Sequence, residues 1–280
     1  MRFLVDFVLQ FHPRNLMQVF AQIDRDSYQE RKIPDTKIVI ALMLSAVCLL
    51  FVFYVKYNSF FHGMLMQISE WMGEDKRYLA RELRGDTYSR LYGHAWWGFV
   101  HLVGFLLIPM ACIKWIFKEK VSDYGWQVGS VREHLKWYLF LVSPILCFVV
   151  IVSFREDFTS HYPFYNFAFR SWTDFLLWEI IYITQFISLE FFFRGFMLHS
   201  TKHAFGSNAI LVMCLPYLMI HFQKPWLEAT GAILFGLFLG TLAMCSRSIW
   251  GGVGVHVAIA VGMDVAALIQ TRGLPQQLFP

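Results

Sequence analysis

Runs of roughly 18 or more mostly apolar residues recur along this sequence, and they constrain its fold more than any other feature. Inside a bilayer every backbone N–H and C=O must be satisfied without water, so runs of this length fold as spanning helices. The chain is 57% hydrophobic and 16% charged, which is too apolar for an ordinary soluble domain. The expected fold is therefore all-α, a polytopic transmembrane helical bundle of about seven spans. They are placed near 38–55, 95–117, 137–154, 174–203, 208–222, 228–245 and 248–269.

The pieces between the spans read differently. Residues 1–37 form a polar, basic tail with short amphipathic stretches, a poor signal peptide that leaves the first span as the insertion signal. Phe60, Phe61, Met64, Leu65, Ile68 and Trp71 share one helical side, which predicts an interfacial helix over 58–72. Residues 74–90 are densely charged and belong in water. Trp96, Trp97 and Trp115 are placed as interface anchors of the second span. Pro144 predicts a kink in the third span. Asp174 is a candidate N-cap for the fourth span. Lysines and arginines are nearly balanced across the two sides, with a small excess on the N-terminal side that favours a cytoplasmic N-terminus. The formal charge of +4 comes from loop residues and gives no nucleic-acid-binding patch. The five cysteines lie apart in apolar spans, without a CxxC pair or a disulfide framework.

The polar residues of the apolar second half carry the functional signal. Glu190 and Arg194 stand four apart in Ser188-Leu189-Glu190-Phe191-Phe192-Phe193-Arg194-Gly195-Phe196. On a helix that spacing puts both on one face, with the acid N-terminal as an ion pair prefers. Intramembrane ionisable residues face the protein interior and mark functional sites, and arginine can hold a carboxylate ionised. Taken alone, the two residues also fit a structural ion pair. Tyr217 and His221 end the fifth span, Glu228 opens the sixth, and His256 and Asp264 lie in the seventh. Leaving so many polar groups unsatisfied in lipid would cost several kcal/mol each, so they are expected to meet in one water-filled cavity. Glu190 and His221 each lie about 20 Å from the turn joining their spans, so they can face each other. Glu179, eleven residues before Glu190, lies about 20° from its face but three turns away, which suits a structural or entrance role. Gly236 and Gly240 form a GxxxG pattern for close packing, and Gly251, Gly252 and Gly254 are expected to let the last span approach a neighbour.

An acid with two histidines supports hydrolysis: one group takes a proton from water and another donates to the oxyanion. The same trio could ligate Zn2+, although the spacing is not HExxH. A small transporter is a third class, but no internal repeat supports it.

These residues resemble the CAAX protease and bacteriocin-processing family of intramembrane endopeptidases, whose motifs run EExxxR, FxxxH and HxxxN. Leu189 to Arg194 stands at the first motif, Tyr217 to His221 at the second and His256 to Ala260 at the third, and the resemblance extends over roughly residues 120 to 270. It implies a division into residues 1–94, with the tail, first span and charged loop, and a protease-like domain over 95–280 with its core near 174–270. It implies that Glu190 and His221 activate water, Arg194 orients Glu190 and His256 helps hold the oxyanion. No cofactor is implied. The partners would be a membrane protein or peptide as substrate and the bilayer itself, with no nucleic acid, in the bacterial cell membrane. The chain departs from the family twice. Leu189 replaces the first glutamate, the family's usual base, and Ala260 replaces the asparagine that helps bind the oxyanion. Asp264 and Glu228 are candidates to restore that polarity, with Tyr217 as a further supporting residue. The other reading is a non-catalytic member acting as a scaffold or as an immunity or maturation partner.

Overall fold

The computed structural model describes residues 13–28, 35–224 and 226–280. The expectations for residues 1–12 and 29–34, and the break at Pro225, lie outside the described residues. Every regular element among the described residues is helical. The longer helices are α1 (Pro13–Tyr28), α2 (Asp35–Val55), α3 (Asn58–Trp71), α4 (Tyr78–Gly85), α5 (Ser89–Phe117) and α6 (Val131–Val152). They continue with α7 (172–205), α8 (Ala209–Met219), α9 (Trp226–Ser246) and α10 (Trp250–Gln270).

Six segments are long and apolar enough to cross a membrane, and one of them, Trp172–Met219, contains both α7 and α8. A 3-10 turn at Gly206–Asn208 breaks it, with Gly206 at φ +55°, so the sequence's fourth and fifth spans are separate helices. The fifth is shorter than expected. With 11 residues, α8 is only about 17 Å long, and the chain leaves it before His221. Met219 and Phe222 beside this break are exposed. The charged stretch after α3 is not all loop, because α4 forms within it.

Polar contacts tie together the ends on each side of the bundle. On one side Asp24 of α1 accepts the Ser207 N–H at 2.7 Å, which caps the turn between α7 and α8. Lys37 at the start of α2 holds Glu119 beyond α5 at 2.7 Å, and Tyr124 also donates to that carboxylate. Burial works against the Glu119 charge, but these hydrogen bonds outweigh it and hold the group below the ordinary carboxylate range. On the opposite side Arg170 donates to the Thr87 carbonyl at 3.0 Å. The C-terminal segment accepts from the first turn of α7, Trp172 N–H on Gln277 and Thr173 N–H on Leu278. Those donors have no partner inside a helix, so the tail completes the helix start. The N-cap is Ser171 rather than Asp174. Ser171 Oγ accepts the Asp174 N–H and donates to its carboxylate, while Arg170 and Tyr165 supply Asp174 with further donors. The capping pair therefore starts one turn earlier, with the acid as its second member.

The core runs through the length of the chain. Phe191, Phe192, Phe193 and Phe196 of α7 are fully buried and cluster with Ala41, Cys48 and Val52 of α2, Phe105 of α5 and Ile210 and Met213 of α8. A second aromatic cluster joins Tyr165 and Ala168 of the 153–171 loop to Trp178 and Tyr182 of α7 and Ala260 of α10. Of the three tryptophans placed as interface anchors, Trp115 is 70% exposed. Trp96 instead donates to the Val55 carbonyl at 2.8 Å, and Trp97 packs inward on Trp178 and Tyr182. Both tryptophans join helices.

Small residues set the close approaches. A Cβ at Gly236 would meet Cys214 Sγ at 2.6 Å, and one at Gly240 would meet Met213 Cε at 2.9 Å, so α8 seats against the GxxxG face of α9. A Cβ at Gly251 would enter the Tyr138 ring, its nearest atom 2.1 Å away. Tyr138 is buried, and its hydroxyl lies 3.2 Å from Ser246 Oγ, so the ring has no easy retreat. Gly254 differs from the expectation, because it faces open space. Gly251→Ala should therefore lower thermal stability in detergent by an amount typical of overpacking, about 1–3 kcal/mol. Gly254→Ala should be neutral or raise it by up to about 1 kcal/mol. Equal melting temperatures for the two variants would contradict this packing.

Candidate active site

Glu190 ends the α-helical part of α7, and the next turn, Phe191–Met197, is a π-helix. Closure in a π turn falls between backbone groups five residues apart. The His199 side chain adds a contact of its own, with Nδ1 2.9 Å from the Arg194 carbonyl. Residues four apart are then out of strict register. Arg194 Nη1 still lies 3.1 Å from Glu190 Oε1, and both residues are fully buried. The contact is an ion pair off the hydrogen-bond direction, and neither the Glu190 oxygens nor the Arg194 nitrogens have a well-directed hydrogen bond among the described residues. Buried polar groups in native proteins rarely stay unsatisfied. This pair thus has unused donors and acceptors for water or a polar guest.

α10 supplies the second carboxylate contact. Glu190 Oε1 lies 3.0 Å from His256 Nδ1, and a Cβ at Gly252 would lie 2.2 Å from Glu190 Oε2. Only a glycine leaves room for the carboxylate against the backbone of α10. The Gly252 carbonyl also lies 3.3 Å from His256 Nδ1. Oxygen acceptors therefore surround Nδ1 and favour the tautomer that carries its proton there. The other ring nitrogen, Nε2, lies 3.2 Å from the Tyr217 hydroxyl of α8. Tyr217 is buried, and its ring lies under the Arg194 guanidinium, 4.0 Å from Cζ to the centroid. That cation–π contact ties the third helix to the ion pair.

His221 sits in the turn after α8. Its Nδ1 is 2.7 Å from the Tyr217 carbonyl, and its ring packs on the Tyr217 ring with centroids 4.7 Å apart. It borders the cluster through Tyr217. Of the expected residues, Glu190, Arg194, His256 and Tyr217 are in direct contact and His221 joins their edge. Phe186 was not anticipated. It stacks on the His256 ring, with centroids 5.4 Å apart and planes 18° from parallel. Its position four residues before Glu190 was the available signal.

Glu228 and Asp264 make their direct contacts with other residues. Glu228 pairs with Lys224 at 3.2 Å in the first turn of α9 and is partly exposed. Asp264 lies about 12 Å along α10 from His256, and its Oδ2 accepts the Trp178 indole N–H at 2.6 Å. Glu179 and Asp264 are both buried, and neither Glu179 oxygen nor Asp264 Oδ1 has a hydrogen-bond partner among the described residues. Ala260 lies in the aromatic cluster with Trp178, and Leu189 lies in the apolar core with Phe192. Neither position supplies a polar group to the site.

The donor set does not fit zinc. His256 turns one nitrogen to Glu190 and the other to Tyr217, while His221 Nδ1 faces a carbonyl. Among the described residues, no group of three or more histidine, cysteine or acidic side chains is close enough to hold a metal ion.

A helical membrane bundle with a buried acid–histidine–arginine cluster is thus defined by residues of α7, α8 and α10. Residues 170–262 match the family model described as type II CAAX prenyl endopeptidase Rce1-like, and that stretch holds every member of the cluster. The similarity is to a family of CAAX-type intramembrane proteases and covers that stretch alone. Searches of curated proteins and of solved structures give no match.

Arg194→Ala should reduce folded yield and thermal stability in detergent by about 3–5 kcal/mol, because it leaves the Glu190 charge buried and alone. Wild-type stability for this variant would show that the carboxylate does not depend on the guanidinium.

Proposed function

We propose that the chain is an intramembrane endopeptidase that cleaves a peptide bond in a membrane-associated protein or peptide, with His256 as the proton acceptor. The observation that carries this is the 3.0 Å contact between Glu190 Oε1 and His256 Nδ1, with Glu190 itself fully buried. This revises the roles expected from the motifs. A carboxylate with no exposure acts through the imidazole rather than on water directly. Arg194 keeps Glu190 ionised, and the Glu190 charge 3.0 Å away favours the His256 proton on Nδ1. Nε2, which faces the Tyr217 O–H at rest, accepts a proton once that hydroxyl turns to the oxyanion.

In this scheme a water on the Nε2 side of His256 attacks the scissile carbonyl carbon. Its proton passes to Nε2, and the carbonyl π pair moves onto oxygen. The Tyr217 hydroxyl and His221, adjacent on one turn, donate to that oxyanion, in place of the asparagine that Ala260 lacks. Collapse of the intermediate breaks the C–N bond, and the proton on Nε2 goes to the leaving amine. No metal takes part. On the strength of the resemblance we place the protein in a bacterial cell membrane.

A second reading is a non-catalytic member that binds a membrane peptide, and the apolar surroundings of Leu189 and Ala260 favour it. Cleavage of a membrane-tethered reporter by purified protein separates the two. His256→Ala should lower the rate about 10²–10⁴-fold with the fold retained. Glu190→Gln should lower it likewise and also lower thermal stability, because it leaves the buried Arg194 charge without its partner. Tyr217→Phe should lower it about 10²–10³-fold, as loss of one oxyanion donor does. A zinc chelator should leave the rate unchanged. Complementation of a null strain by Glu190→Gln as well as by wild type would establish the scaffold reading instead.

A further inference from the structure

A cavity of about 530 Å³ opens far from the cluster, between α3, α4 and the start of α5. Its polar lining includes Arg84, Arg90, His62 and Asn58, and its apolar lining includes Phe61 and Leu65. Its size is that of a small-molecule site. Neither arginine is in an ion pair among the described residues. Other cations of the same segment are matched, Lys76 by Glu70 at 3.2 Å and Arg81 by Asp75 at 2.8 Å. Two unmatched guanidinium groups therefore line the cavity, while Arg77, also outside any ion pair among the described residues, does not line it. Two acids stand two residues from Arg84, Glu82 and Asp86, and Asp86 is occupied in part by the Tyr88 N–H at 2.7 Å.

The position adds the second half of the argument. α2 ends at Val55 and α5 begins at Ser89, so the cavity lies at the same-side ends of two spans. α3 between them exposes Phe60 and Trp71, 49% and 78% accessible, as a helix lying in a bilayer interface does. A site there has headgroups on one side and acyl chains on the other.

We propose that this cavity binds a phospholipid with an anionic headgroup. Arg84 and Arg90 hold the phosphate by charge-assisted hydrogen bonds, and Phe61 and Leu65 hold the upper part of an acyl chain. The site lies outside the matched domain and is independent of the peptidase reading.

Thermal melting of the full chain in a neutral detergent tests this, with three probes: dihexanoyl phosphatidylglycerol, dihexanoyl phosphatidylcholine and glycerol phosphate. The expected result for wild type is a saturable rise in melting temperature with phosphatidylglycerol. Phosphatidylcholine should need at least about tenfold more for the same rise, and glycerol phosphate should give none. The double variant Arg84→Gln/Arg90→Gln should need at least about tenfold more phosphatidylglycerol, whereas Lys76→Gln should respond like wild type. Equal responses to the two lipids in wild type would overturn the proposal whether or not the double variant folds. So would an unchanged response in a folded double variant. A rise with glycerol phosphate at the same half-saturating concentration would identify a free phosphate ester as the ligand and overturn the lipid assignment.

Discussion

Two opposite charges, wholly buried at lipid depth, govern the second half of this protein. Neither Glu190 nor Arg194 could remain charged there alone, and each lies at charge-pair distance from the other. The pair also organises its neighbours. Arg194 lies over Tyr217 from α8, and Glu190 meets Gly252 and His256 from α10. Three helices are thus keyed to one ion pair. Buried phenylalanines of α7 enclose it from α2 and α5, which lowers the local dielectric and strengthens every polar contact inside. Such surroundings give preorganised dipoles their largest effect on a reacting group.

The seam between α7 and α10 is polar at two levels. Glu190 and His256 form one, and Glu179, Trp178 and Asp264 form the other. Ala260 lies between them on α10, where the resemblance expects an asparagine. The second level is closed over by aromatic residues of the 153–171 loop, with Tyr165 and Ala168 buried against Trp178. At the first level the His256 side chain keeps 13% exposure, while Glu190 and Arg194 have none. α8 ends at Met219, and the following turn carries His221 at the margin of the cluster.

Much of this was legible in the sequence because lipid imposes a simple rule. Apolar runs gave the spans, and polar residues within them pointed to Glu190, Arg194, Tyr217 and His256. The GxxxG pattern of α9 meets α8 as its spacing implies. What was not legible depends on rotation and local winding. Asp264 is eight residues from His256, which turns it by about 80° and moves it about 12 Å along the helix. Its sequence proximity therefore did not bring it to the site. Glu228 found a nearer partner in Lys224, four residues before it. The π turn after Glu190 has no signature in an unbroken run of phenylalanines, yet it sets the direction of Arg194. The early end of α8 and the inward turn of Trp96 and Trp97 come from tertiary contacts that no periodicity records.

The space opposite Glu190 has an evolutionary consequence. The Glu190 carboxylate occupies the volume that a side chain at position 252 would need. The two positions cannot drift independently. A lineage that acquires alanine or serine at 252 must first shorten or redirect the acid, and with it release the imidazole and the guanidinium. Sequences descended from a common ancestor should therefore keep glycine at 252 wherever they keep glutamate at 190, and should lose the two together. Such paired gain and loss would trace this site through divergent relatives even where the motifs themselves have eroded.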